Sequence, residues 1–454
     1  MLQALPRPSH RVWARYDLGA YGAYAHLDDA GRPLWPAEYH HRWIEPLSDE
    51  SIRRLLLIAP PGHAKSTWAS ILYPAWLVGR RPDVNIILVS NTAEQAHLFS
   101  VAVRGTIEAN EAHREVFPHL RPDRTRGWSE SEWFVQRSEA TNKDSTMTAL
   151  GVGGPIIGRR ANLIIADDPC DQENTATEAQ REKLKAWFRQ SLLSRLNPGG
   201  RVVVIVTRWH HDDLAADLIA SGDYTVVHMP AINERGEALW PERFPLERLE
   251  RIRREVGTRV FEAMYQGRPT PGAGVIFKRE WFGPFAGRGE YEVIGQAWDT
   301  ALKTHESSDY SACVTLGLRR DVKEAHVLDV WRGKVEAPDL QRRMRELYLA
   351  WRPAWVAVED TMGGTAAMQY IKREALLPLV PVRVDRDKVT RANAVAPYCE
   401  GGHVGLRAGA PWIGEFLDEL CAFPHGAHDD MTDAFVHGMT RLIGASRAVV
   451  AVWA

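Results

Sequence analysis

The chain has 454 residues, 45% of them hydrophobic and 25% charged, with 56 Lys and Arg against 58 Asp and Glu. At roughly 150 residues per domain this length predicts two or three domains, each able to bury its own core, and the composition excludes wholesale disorder. A formal net charge of −2 excludes a uniformly basic coat, so any nucleic-acid contact has to come from local patches.

In chain order, residues 51–240 alternate short apolar runs with longer helical patterns. The runs at 54–58 (RLLLI), 85–90 (NIILVS), 163–166 (LIIA) and 202–206 (VVVIV) are continuous and bounded by Pro, Gly or Asp. Such runs read as strands buried on both faces, hence a parallel sheet covered by helices. Between them, 93–110 and 177–195 carry helical spacing. From 233 to 289 the text is dense in Gly, Pro and aromatics around one helical stretch, 246–265, and turn residues at that density predict a lid or linker.

Beyond it, 292–300, 311–318 and 325–330 read as three strands with short connections, an antiparallel meander. A helix (338–349), a strand (355–359), a helix (365–376), a strand (379–384) and two helices (411–421, 431–442) follow. That order is the order of a ribonuclease H-like fold. The expected organisation is an N-terminal arm (1–34), an α/β domain with a parallel sheet (35–232), a small lid or linker subdomain (233–289), a mixed α/β domain (290–442) and a tail (443–454). Cys170, Cys313, Cys399 and Cys421 are scattered along it without a C-x-x-C spacing, which fits a reducing compartment. No apolar run approaches the roughly 18–20 residues that span a bilayer. The basic N-terminus is followed by no hydrophobic stretch, so it does not read as a secretory signal.

Directly after the RLLLI strand stands Ala59-Pro60-Pro61-Gly62-His63-Ala64-Lys65-Ser66-Thr67, then a helical pattern. Strand, turn, Lys-Ser and helix is the context of a P-loop. Across Pro61-to-Thr67 the backbone N–H groups from Gly62 onward cradle phosphates, Lys65 neutralises the β/γ oxygens, and the Ser66 hydroxyl holds Mg²⁺. Ala59 and Ala64 stand where glycines are usual. The strand at 163–166 delivers Asp167 and Asp168 at its carboxyl end, where open α/β sheets bind ligands. Asp167 suits a magnesium carboxylate and Asp168 the residue that orients or deprotonates water. Gly158-Arg159-Arg160 offers an arginine for transition-state charge, in cis or across a subunit boundary. Thr207, at the tip of a further strand, is the candidate γ-phosphate sensor. His210, His211, Asp212 and Asp213 are better read as a helix start with an acidic first turn than as a metal cluster.

In the second region, Asp299 ends the first strand, Glu359 and Asp360 end the strand WVAVED, and His428-Asp429-Asp430-Met431-Thr432-Asp433 precedes the last helix. The topology makes the Asp299 and Glu359 strands neighbours and packs the final helix on them, so carboxylates distant in sequence converge. Like charges repel in a partly dry site, and two divalent cations remove that cost. Metals about 4 Å apart serve phosphodiester displacement, and hard oxygen ligands favour Mg²⁺ or Mn²⁺. Asp299, Glu359, Asp429, Asp430 and Asp433 are the candidate ligands, with Asp309 as a turn residue or a fourth.

These motifs in this order, PPGHAKST, GRRANLIIADDP, PGGRVVVIVTRWHHDDL, ALWPERF, AWDTALKTHESSDYS, WVAVED and HDDMTDA, resemble the large subunit of tailed-bacteriophage terminases over most of residues 35–440. The resemblance implies a P-loop ATPase domain and a lid joined to a metal-dependent endonuclease that cuts concatemeric DNA. Lys65, Ser66, Asp167 and Asp168 would serve ATP hydrolysis; Asp299, Glu359 and Asp429 or Asp430 would hold the nuclease Mg²⁺ or Mn²⁺. The family's cis arginine maps loosely onto Arg159 or Arg160, and Tyr39-His40-His41-Arg42 lies where members contact adenine. It implies double-stranded DNA, the portal protein of the procapsid and a terminase small subunit as partners, a homo-oligomeric ring when packaging, and action in the host cytoplasm. Lys372, Arg373, Arg383, Arg386, Lys388 and Arg391 are candidate phosphate contacts, with a solvated charged face as the alternative. Two other readings stay open: a cellular helicase–nuclease, which lacks its second motor domain here, and a catalytically silent assembly protein.

Overall fold

The nine runs predicted as strands all fall within two seven-stranded sheets, one in each of two compact units. The units comprise Met1–Arg253 with Arg259–Pro271, and Arg254–Thr258 with Gly272–Ala454. This computed structural model describes residues 7–138, 142–269, 276–287, 289–300, 310–320, 324–359, 377–382 and 387–451. Asp309, Asp360, Lys372, Arg373, Arg383, Arg386 and the helix expected at 365–376 lie outside the described residues.

In the first unit the strands are β1 (Arg54–Ile58), β2 (Ile86–Ser90), β3 (Glu132–Trp133), β4 (Met147–Gly151), β5 (Ala161–Asp167), β6 (Leu196–Val206) and β7 (Thr225–His228). Their order is β3-β4-β2-β5-β6-β1-β7, all parallel except the β3–β4 pair. Alternate residues enter two cores. Leu55, Leu57, Leu163, Ile165, Val203 and Ile205 face one, and Leu56, Ile58, Ile164, Val202, Val204 and Val206 face the other. Burial of both faces is why these strands read as unbroken apolar runs. Register then aligns the carboxyl ends: Ile58 pairs with Val206, and Asp167 with Ile205.

The segment expected as an arm is part of this unit's core. Its helices Arg7–Tyr16 and Leu18–Ala25 contribute Ala14, Leu18, Tyr21 and Ala25. Among the described residues five tryptophans, including Trp43, Trp68, Trp76 and Trp133 of this unit, are fully buried, so their large area goes into packing. The stretch expected as a separate lid is shared out: up to Arg253 and from Arg259 to Pro271 it belongs to the first unit.

The second unit holds β8 (Phe282–Phe285), β9 (Tyr291–Asp299), β10 (Ser311–Arg319), β11 (Ala325–Gly333), β12 (Trp355–Glu359), β13 (Leu379–Val382) and β14 (Val404–Arg407). The order is β13-β12-β9-β10-β11-β14-β8. β9, β10 and β11 form the expected antiparallel meander, and β12 joins β9 in parallel. β8 and β14, like β3, β4 and β7 of the first unit, were not foreseen: strands of two to five residues give little periodic signal. The carboxyl-terminal helix Asp430–Ala451 packs Ala434, Phe435, Met439 and Leu442 against the sheet. Gly438 permits the approach, since a Cβ there would stand 2.6 Å from Leu316 Cδ1 and 3.2 Å from Ala297 Cβ.

Candidate active sites

The aligned strand ends of the first unit carry the P-loop. Gly62 has φ 74° and Ala64 φ 63°, left-handed conformations that wrap the loop toward its helix. Gly62 also has no room for a side chain, because a Cβ would lie 2.8 Å from Phe244 Cζ. His63 is buried, stacks on Phe244 at 4.4 Å, and donates from Nδ1 to Pro61 O at 2.9 Å. Burial lowers its pKa to about 4, so it enters the loop as a neutral ring.

Tyr39 and His40 clasp the loop from outside. The Tyr39 hydroxyl donates to His63 O at 3.1 Å, and His40 Nε2 to the same oxygen at 3.3 Å. His40 Nδ1 accepts from Ala37 N, which leaves Nε2 as the protonated nitrogen. Tyr39, His40, Arg42, Thr67 and Ala64 border an open cavity of about 2290 Å³ that runs on to Trp240. The Tyr39-to-Arg42 segment thus stands beside a cavity that also borders Ala64 and Thr67 of the P-loop.

Lys65, buried at 6% exposure, lies 3.0 Å from Asp168 Oδ2 and donates to Thr207 Oγ1 and, at 3.5 Å, to Ala59 O. Asp168, with φ 43°, accepts from Thr207 N at 2.5 Å. Asp167 is 1% exposed and takes two hydroxyl donors, Ser66 to Oδ1 at 3.0 Å and Ser70 to Oδ2 at 2.5 Å. Burial first, and then the neighbouring Asp168 charge, raise its pKa to about 7. A carboxylate so disfavoured as an anion, with a serine hydroxyl and a second carboxylate beside it, suits a hard divalent cation. Lys65, Ser66, Asp167, Asp168 and Thr207 therefore converge as expected, and Ser70 joins them. Ser70 is four residues past Ser66, a spacing that could have revealed it.

Arg159 and Arg160 are not brought to this site. Arg159 Nη1 contacts Glu132 Oε1 at 2.5 Å and Thr148 Oγ1 at 3.0 Å, while Arg160 donates to Ser194 O at 2.9 Å. Both precede Ala161 at the amino end of β5, and Asp167 ends that strand roughly 20 Å away at about 3.3 Å per residue. The cis role is corrected accordingly. The 210–213 stretch is a helix start: Asp213 caps Leu214–Ser221 by accepting from Ala216 N and pairs with Arg208 at 2.8 Å.

In the second unit, Ala297 and Ala357 share a register position and a core. Asp299 and Glu359, two residues further along each strand, lie on that same face. The final helix supplies the remaining acids. Asp433 is 2% exposed, and its pKa is raised by burial. Asp299 is pushed up to about 8 by burial, then by the charges of Asp433, Glu359 and Asp430. Lys388 Nζ bridges Asp433 Oδ2 at 2.6 Å and Asp429 Oδ2 at 2.7 Å. Burial works against the Lys388 charge, but these two carboxylates outweigh it and raise its pKa. His437 Nε2 is 3.4 Å from Glu359 Oε2 and 2.9 Å from Arg391 Nη1. Glu359 is lowered chiefly by that His437 contact.

Among the described residues no three acids or histidines are grouped so as to hold a metal ion, but the excess of carboxylates over cations around the partly dry Asp299 is a charge pattern that a divalent cation would relieve. Asp433, Glu359 and Asp430 stand near enough to Asp299 to raise it by their charge, and Asp433 rather than Asp429 is the buried acid of the pair that Lys388 bridges. Lys388 and Arg391, expected at DNA phosphates, are instead committed to Asp433 and His437. His437 was missed, although it stands four residues past Asp433 on one face of the final helix, which Asp429 directly precedes.

The model for the "Terminase large subunit, T4likevirus-type, N-terminal" family matches residues 56–284, and the "Terminase RNaseH-like domain" model matches 296–442. The large terminase subunit of Enterobacteria phage T3 is 29% identical over 226 residues, 49% of this chain and 37% of that protein. The chain therefore aligns with well under two thirds of that relative's length. The solved large terminase of a thermophilic bacteriophage superposes with a TM-score of 0.51 at 12% identity, covering 88% of this chain and 95% of that one, a likeness of fold.

Proposed function

Because the chain belongs to the terminase large subunit family, with the T4-like N-terminal domain followed by the ribonuclease H-like domain, we propose that it hydrolyses ATP to drive viral double-stranded DNA into a procapsid and cuts the concatemer with its second unit. The observation that carries this is the pair of charged sites, one per unit, each built for a different phosphate chemistry. At the first, Lys65 and the backbone of the loop bind the nucleotide phosphates. Ser66 and Asp167 hold Mg²⁺, which neutralises developing phosphate charge. Asp168 orients water once phosphates draw Lys65 away from it, and Thr207, touching both, senses that change.

At the second, Asp299, Glu359 and Asp433, with Asp429 and Asp430 at the rim, hold Mg²⁺ or Mn²⁺, proposed as two ions. Such ions supply activated water and stabilise the leaving oxygen. Lys388 and Arg391 keep the cluster neutral enough to fold. The procapsid portal, a terminase small subunit and a ring of copies are the proposed assembly, with Arg159 or Arg160 serving the neighbouring copy. The site of action is the host cytoplasm, and among the described residues no helix is long and apolar enough to cross a membrane. A DNase-protection assay with purified procapsids tests the reading: the wild type protects DNA with ATP, and Lys65→Ala protects none. Equal protection by both proteins would overturn it.

A further inference from the structure

Ser70 is a fully buried hydroxyl in a segment otherwise lined by Trp68, Ala69 and Leu72. A serine inside a helix ordinarily returns its proton to the carbonyl four residues back or points to solvent. Ser70 does neither. It donates to Asp167 Oδ2 at 2.5 Å, across to the end of β5. Ser66, one turn earlier, donates to the other oxygen, Oδ1, at 3.0 Å.

The local backbone explains how both reach one carboxylate. The helix after the P-loop is widened into π geometry over Thr67–Leu72, with Tyr73 N returning to Trp68 O. Widened turns of this kind occur at functional positions because they re-aim side chains without breaking the helix. The two oxygens have different tasks. Ser66 is the loop hydroxyl that would meet a cation, so Oδ1 would be on the metal side, while the fully buried Ser70 holds the other oxygen. With only the Ser66 contact, Asp167 could rotate about its terminal torsion, which is broad for a carboxylate. Two donors on opposite oxygens fix the plane.

Resting on the ATP-site reading, we propose that Ser70 is a positioning residue that sets the carboxylate plane of Asp167 for Mg²⁺. It touches neither nucleotide nor metal and acts through Asp167 alone. Outer contacts that orient a metal ligand are worth about 10–100-fold in metal affinity, and this one lies at the low end because Ser66 remains.

The test uses the full-length chain and fluorescent mant-ADP, titrated with and without Mg²⁺. Wild type is expected to bind more tightly with Mg²⁺. In Ser70→Ala the Mg²⁺ concentration for half-maximal binding rises about tenfold, affinity in EDTA stays near wild type, and the thermal midpoint falls because a buried oxygen of Asp167 loses its donor. In an Asp167→Asn background the same substitution adds less than about twofold, because its route of action is gone. An unchanged Mg²⁺ requirement in Ser70→Ala would overturn the proposal. So would an undiminished tenfold effect in Asp167→Asn, or a parallel loss of EDTA and Mg²⁺ affinities that marks general damage to the loop. A wild type with no Mg²⁺-dependent binding would instead overturn the ATP-site reading, and the two failures are thus distinguishable.

Discussion

At the residue scale, Ala64 stands at φ 63°, where a side chain costs roughly 1–2 kcal/mol. Ala64→Gly is therefore expected to raise the unfolding free energy by about 0.5–1 kcal/mol after the extra chain entropy of glycine is counted. Gly62→Ala should do the opposite, losing about 2 kcal/mol, because it combines a left-handed backbone with a clash on Phe244. Urea midpoints check both, and equal midpoints for the three proteins would contradict the loop geometry. Asp299 gives a pH prediction. Its carboxyl is raised to about 8 from about 3.9 in an unfolded chain. Between those values the folded state holds the proton more tightly, so metal-free stability falls as pH rises from 4 to 8. Mn²⁺ takes the proton's place, and its gain in thermal midpoint should be larger at pH 8 than at pH 6. The same gain at both would remove Asp299 from the metal site.

At the scale of elements, the helix Asp430–Ala451 delivers Asp433 and His437 only because Gly438 lets it seat on β9 and β10. Gly438→Val places its branches where Leu316 and Ala297 already stand. We expect a loss of about 2 kcal/mol together with Mn²⁺-dependent cleavage, measured by calorimetry and plasmid nicking. Retention of wild-type cleavage would separate the helix seat from the site. The same elements mark how far the text could be read. Buried parallel strands were legible because RLLLI and VVVIV bury both faces, and their ends carried Lys65, Asp167 and Thr207 with them. Arg159 and Arg160 went astray although chain order alone sets residues that precede a strand at its amino end, away from the carboxyl ends where Asp167 stands. Lys388 and Arg391 read as a charged face because sequence does not show that a helix turns its cations onto Asp433. Ser70 was silent for a simpler reason: a serine between Trp68 and Trp76 looks like filler until its partner is seen.

At the scale of the whole molecule, the chain places a nucleotide-type site and a carboxylate-rich site on consecutive units, each with its own sheet and core. The described residues named at each site come from one unit, so damage to one should leave the other chemistry standing. The most direct measurement crosses two variants with two assays. Lys65→Ala should lose ATP-dependent phosphate release and keep Mn²⁺-dependent plasmid cleavage, whereas Asp299→Asn should lose cleavage and keep phosphate release. If either variant lost both activities while remaining folded, the account of two separate sites on one chain would be contradicted.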